Sequence, residues 1–90
     1  MIDISNRKKI NIRDKKITVI GLGMSGTAAA ILANYLGAQV FGSDTSEKFQ
    51  VSNHALYLLN NHISSETGLH SYKIYDADLW IISPGVPNDA

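Results

Sequence analysis

An α/β domain built on a parallel sheet is what this 90-residue chain predicts, and three observations carry that reading. Ile17-Thr-Val-Ile, an apolar β-branched stretch, runs straight into Gly21-Leu-Gly-Met-Ser-Gly26, a G-x-G-x-x-G loop. An alanine-rich helical pattern from Thr27 to Leu36 follows at once. Beyond it, further strand-like and helical stretches alternate, which is the order of βαβ units with right-handed crossovers.

Residues 1–14 read as a polar, basic leader ending in a turn at Asn11 to Asp14; the domain proper spans 15–87, and 88–90 open a linker. Lys16 to Gly21 is a strand whose unbroken apolar run suits burial on both faces. Met24 or Ser25 opens the first helix. Ala29, Leu32, Ala33 and Leu36 give it a sheet-facing stripe at i, i+3, i+4, i+7 spacing, and Gly37 is placed as a left-handed cap. Gln39 to Ser43 is a second strand, stopping at Asp44-Thr-Ser46. His54 to Asn60 is a second helix built on Ala55, Leu56, Leu58 and Leu59, and His62 to Glu66 a weak third strand. Leu69 to Tyr75 is polar with a weak helical pattern. Asp78 to Ser83 is the last strand, cut off by Pro84-Gly-Val-Pro87. Trp80 is expected in the core, with Tyr35, Tyr57, Tyr72 and Tyr75 at amphipathic boundaries. The sum is a Rossmann-like three-layer domain with a parallel sheet of four to five strands.

Composition removes several function classes. Apolar content of 44% and charged content of 18% describe a globular chain. No apolar run approaches the ~20 residues of a membrane span, and no signal-peptide pattern is present, so the cytoplasm is the expected location and a membrane is not an expected partner. With no cysteine, disulfides, thiolate metal sites and cysteine nucleophiles are excluded. Net charge is zero, yet Arg7, Lys8, Lys9, Arg13, Lys15 and Lys16 all lie before Ile17, and from Ile17 onward two basic residues face six acidic ones. No aromatic residue interleaves the basic cluster as a stacking site for bases, so it reads as a solvated leader and no nucleic-acid partner is expected. His54, His62 and His70 do not fall at metal-ligand spacing, and no metal is expected.

In open parallel sheets ligands bind beyond the carboxyl ends of the strands, near the switch in strand order. Three loops are predicted to meet there. The first holds Gly21, Gly23, Met24, Ser25 and Gly26, where glycines allow close backbone approach and a helix start offers unpaired N–H groups to an anion. The second is Asp44-Thr45, which either accepts hydrogen bonds from a ribose hydroxyl or base N–H, or simply begins the following segment as a helix cap. The third is Ser83-Pro84-Gly85, a stiff turn that either donates to a ligand oxygen or only terminates the strand. No nucleophile context, paired-carboxylate motif or second phosphate loop of the G-x-x-x-x-G-K-[ST] type is present, so no catalytic residue is expected.

Val19-Ile-Gly-Leu-Gly-Met-Ser-Gly-Thr-Ala-Ala-Ala30, Gly42-Ser-Asp44 and Asp76-Ala-Asp-Leu-Trp-Ile-Ile-Ser-Pro-Gly-Val-Pro87 together resemble the N-terminal domain of Mur ligases. The Ser-Pro-Gly-Val-Pro turn favours the D-glutamate-adding branch over the L-alanine-adding one, which shares Gly42-Ser-Asp44. The resemblance implies a domain that holds the UDP portion of UDP-N-acetylmuramoyl-L-alanine in peptidoglycan synthesis. Met24 and Ser25 would lie against the diphosphate or nucleoside, Asp44 and Thr45 would read uracil or ribose, and Ser83 to Gly85 would close over the base. Family members often carry a basic residue where Ser46 stands here; Lys48 is the nearest substitute. ATP and Mg²⁺, which activate the substrate carboxylate as an acyl phosphate for attack by an amino-acid amine, belong to other ligase domains in cis. The domain itself is expected to bring no cofactor and to be inactive alone. Two other readings fit parts of the chain: an NAD(P)- or nucleotide-binding regulatory module, and a protein-contact domain with a merely structural glycine loop.

Overall fold

The computed structural model describes residues 11–83. The first ten residues of the leader, Pro84-Gly-Val-Pro87 and the linker at 88–90 lie outside the described residues. Along the chain come β1 (Lys16–Ile20), α1 (Met24–Tyr35), β2 (Gln39–Asp44), α2 (Phe49–Asn60), β3 (Ser64–Thr67), a 3-10 turn (Tyr72–Tyr75) and β4 (Leu79–Ile82). The four strands form one sheet in the order β3-β2-β1-β4, and every pairing is parallel. The chain steps outward from β1 to β3, then returns past β1 to lay β4 on its other side. That reversal puts a switch point between β1 and β4, where a ligand crevice is expected.

Side chains alternate across the strands. Ile17 and Val19 of β1 join Leu22, Ala30, Ala33, Ala38, Leu58 and Ile63 in the core beneath the helices, with Val40 and Ile81 packed against it. Thr18, on the opposite side of β1, is also fully buried, so the strand is covered on both faces as its sequence predicts.

The packing face of α1 differs from the expected one. Gly26, Thr27, Ala30 and Ala33 are buried, whereas Leu32 and Leu36 stand 58% and 48% exposed. A Cβ at Gly26 would collide with the carbonyl oxygen of Gly21. The helix therefore sits directly on the loop backbone, only small side chains fit beneath it, and the leucines turn outward. Its end is as predicted: the Gly37 N–H donates to Asn34 and the Ala38 N–H to Ala33, both at 3.0 Å, a Schellman arrangement with Gly37 at φ +99°. Asp14 donates its N–H to the Gly37 carbonyl and Ile12 packs on the core, so residues 11–14 already belong to the fold.

Three further boundaries shift. α2 starts at Phe49 rather than His54, with Lys48 as its cap residue, so Asp44, Thr45 and Ser46 do not begin that helix. β3 starts at Ser64, because His62 takes a left-handed turn (φ +63°) that Ile63 follows into the core. Trp80 is 42% exposed rather than core, since β4 pairs on one side only among the described residues. Its indole N–H donates to the Ile74 carbonyl at 2.8 Å, and its ring lies 5.7 Å from that of Tyr75.

Candidate functional site

The glycine loop grows out of β1 without a break in pairing. The Gly21 N–H donates to the Ser43 carbonyl at 2.8 Å, and Gly21 then turns the chain with φ +95°, a conformation that disfavours any side chain. Leu22 drops its side chain into the core and is fully buried. It lies over Gly42 of β2, where a Cβ would come within 2.8 Å of a Leu22 methyl. Gly23 then opens α1 with no side-chain cap, and the first helical bond runs from the Thr27 N–H to the Gly23 carbonyl at 2.9 Å. No acidic residue stands in the first turn. The N–H groups of Met24, Ser25 and Gly26 therefore lie at an uncapped positive dipole end, with Gly23, Met24 and Ser25 exposed.

Side chains from two other elements hold this loop. Asp44, at the end of β2, accepts the Leu22 N–H on Oδ2 at 2.7 Å and the Ser46 N–H on Oδ1 at 2.8 Å. The second bond closes an Asx turn; the first ties the glycine loop to β2. From α2, the His54 Nδ1–H donates to the Leu22 carbonyl at 2.6 Å, and the Thr27 hydroxyl reaches the same oxygen at 3.4 Å. Thr45 is exposed beside Asp44, and Lys48 is exposed at the start of α2. Ser83 is buried at the end of β4 and its N–H donates to the Ile20 carbonyl at 2.9 Å. Its Cβ is 3.3 Å from the place a Cβ of Gly26 would occupy, so the end of β4 abuts the start of α1. The structure thus brings Gly21, Gly23, Met24, Ser25, Gly26, Asp44, Thr45 and Ser83 to one edge. Pro84 and Gly85 lie outside the described residues.

A second polar cluster sits at the same end of the sheet, and sequence spacing gave no sign of it. The buried Ser43 hydroxyl lies 2.7 Å from Glu66 Oε2 and 2.7 Å from His70 Nδ1, and the Ser71 N–H donates to Glu66 at 2.7 Å. Burial raises the Glu66 carboxyl, but hydrogen bonds from Ser71 and Ser43 and the charge of His70 outweigh it, so it titrates below its ordinary range. Glu66 accepts from Ser43 instead of orienting His70, and Ser43 is enclosed, so the trio lacks the nucleophile–base–orienter arrangement. It pins the segment after β3. Among the described residues no group of three His, Asp or Glu is placed to hold a metal ion, and no helix is long and apolar enough to cross a membrane. Between α1 and α2 runs an apolar groove of about 580 Å³, lined by Met24, Ile31, Tyr35, His54 and Tyr57 among others.

The arrangement is that of a nucleotide-fold domain: a parallel sheet, a glycine loop at the strand-order switch and an open helix start above it. The family model for the alanine dehydrogenase/PNT C-terminal domain matches residues 6–89. The chain belongs to that family. Its resemblance to the Mur ligases also extends over nearly the whole chain. The UDP-N-acetylmuramoylalanine--D-glutamate ligase of Koribacter versatilis is 41% identical over 81 residues, which cover 89% of this chain and 18% of the relative. The ligase of the same name from Chlorobium chlorochromatii is 43% identical over 82 residues, covering 90% and 17%. The chain thus spans less than a fifth of the length of these curated relatives. Among solved structures, dipicolinate synthase A chain from Bacillus subtilis superposes with a TM-score of 0.65 at 21% identity, covering 88% of this chain and 25% of that one. A putidaredoxin reductase–putidaredoxin complex gives 0.64 at 19%, covering 80% and 24%. At such identities these two bear on the fold of the chain alone and say nothing about its ligand.

Proposed function

We propose that this chain is the UDP-holding domain of an ATP-dependent ligase that adds D-glutamate to UDP-N-acetylmuramoyl-L-alanine in peptidoglycan precursor synthesis. The observation that carries the reading is the exposed, uncapped start of α1 at the switch between β1 and β4, flanked by Asp44-Thr45 and Ser83. Backbone N–H groups of Gly23 to Gly26 and the Ser25 hydroxyl would meet the diphosphate, where donors and dipole favour negative charge. Asp44 braces the loop with one bond per oxygen and keeps acceptor capacity for a uracil N–H or ribose hydroxyl, with Thr45 beside it. Ser83, Pro84 and Gly85 would close over the base. The ligase names of the relatives support the choice of substrate. ATP, Mg²⁺ and the amino-acid site lie, on this reading, in further domains in cis, and the reaction is cytoplasmic.

A second reading, an NAD(P)-binding regulatory module, is favoured by the alanine dehydrogenase/PNT family match. Asp44 serves a ribose hydroxyl equally well in either reading, and it is the ligase names of the relatives that weigh against this one. Calorimetric titration of the chain separates the two. Heat from UDP-N-acetylmuramoyl-L-alanine and none from NADH is the expected result; saturable NADH binding with no response to the UDP-sugar would sink the ligase reading.

A further inference from the structure

The anion site proposed above depends on which way one peptide unit points. The Leu22 carbonyl and the Gly23 N–H belong to the same peptide, and no cis bond occurs among the described residues, so the two groups point in opposite directions. His54 draws that carbonyl toward α2 with a 2.6 Å hydrogen bond, helped by the Thr27 hydroxyl. The Gly23 N–H is thereby turned away from α2. Of the two donors on that oxygen, His54 is the nearer, at 2.6 Å against 3.4 Å for Thr27. Flipping the peptide changes only ψ of Leu22 and φ of Gly23, and glycine accepts either sign of φ. A Cβ at Gly23 would meet nothing within 4 Å, so the side of this residue is open. The flipped form would present a carbonyl oxygen where the upright form presents a donor, which an anion would reject.

We infer that His54 is a positioning residue for the phosphate loop. Acting from α2 through the Leu22 carbonyl, it holds the Leu22–Gly23 peptide in the orientation that offers the Gly23 N–H to a nucleotide phosphate. The preceding peptide is held from β2 by Asp44 on the Leu22 N–H, so two successive peptides are pinned by side chains that lie outside the glycine motif. This role rests on the nucleotide reading, deepens it, and gives His54 a task that metal spacing had denied it.

The test is a titration of UDP into the 90-residue chain and three variants, each checked for folding by thermal melting. An asparagine amide nitrogen, like histidine Nδ1, is attached at Cγ, so His54→Asn can still donate to Leu22. His54→Gln places its donor one bond farther out, and His54→Phe keeps the bulk without a donor. UDP affinity should fall about tenfold or more in His54→Gln and His54→Phe and stay within about threefold of the parent in His54→Asn. If His54→Phe does not fold, the asparagine and glutamine pair decides. Parent-like affinity in His54→Gln, or equal weakness in His54→Asn, overturns the inference while leaving the nucleotide reading intact. A parent chain that does not bind UDP overturns both.

Discussion

The two ends of the sheet are tied by the same device in different surroundings. Asp44 and Asp78 each accept a backbone N–H of the neighbouring chain segment at 2.7 Å, Asp44 from Leu22 beyond the carboxyl end of β1 and Asp78 from Lys16 at its amino end. Asp44 is half-buried and spends its second oxygen on Ser46. Asp78 is exposed, and beside it Lys16 makes an exposed ion pair with Asp76 at 3.1 Å. Water can take over the bonds at the amino end, where an exposed pair adds at most about 1 kcal/mol. It cannot do so as cheaply at the carboxyl end, where a lost acceptor strands a partly buried donor. One end fixes strand register. The other fixes the shape of a loop, and its geometry has fewer substitutes.

The largest test of this contrast is Gly26→Ala. The new methyl meets backbone that has no room to yield, so urea denaturation should show a loss of about 3 kcal/mol or more. A variant as stable as the parent would mean that helix and loop are not in the contact described. Next comes the pair of aspartates: Asp44→Ala should lose about 2 kcal/mol and Asp78→Ala less than about 1, melting-point drops separable at 4–8 °C per kcal/mol in a domain of this size. Equal losses would erase the distinction between the two ends. The smallest effect concerns acid. Glu66 titrates in the folded chain below its ordinary value of 4.5, so its stabilisation is complete above that value and is lost as the pH falls through the lower, folded one. Glu66→Gln should therefore show a shallower decline of urea midpoint below about pH 4.5 than the parent. Superimposable acid limbs would remove Glu66 from the account.

The strand–loop–helix at Ile17 to Leu36 was legible because its signals are local: a β-branched run, three glycines at fixed offsets, and a terminal Gly37. The facing of α1 was not. In a helix where alanine and leucine are interspersed, periodicity favours the larger residues inward, but the Gly26–Gly21 contact sets the rotation and reserves the interior for Ala30 and Ala33. His54 was equally hidden, since its partner lies 32 residues away and nothing in local spacing marks a histidine that bonds a distant carbonyl. Trp80 was misplaced for a third reason. An apolar run reads the same in a central strand and in one paired on a single side, and only the topology tells them apart.

Leu22 has the backbone of a binding loop and the side chain of a core residue, seated on Gly42 and closed off from solvent. Displacing the loop therefore means opening the interior, and anything gripping the loop restrains global unfolding. Occupancy and melting temperature become two readings of one equilibrium: a ligand present at a hundred times its dissociation constant would add about 2.7 kcal/mol, or on the order of ten degrees or more. The chain is in that sense its own thermometer, and a fluorescence melt could rank nucleotides without a label or an assay of turnover.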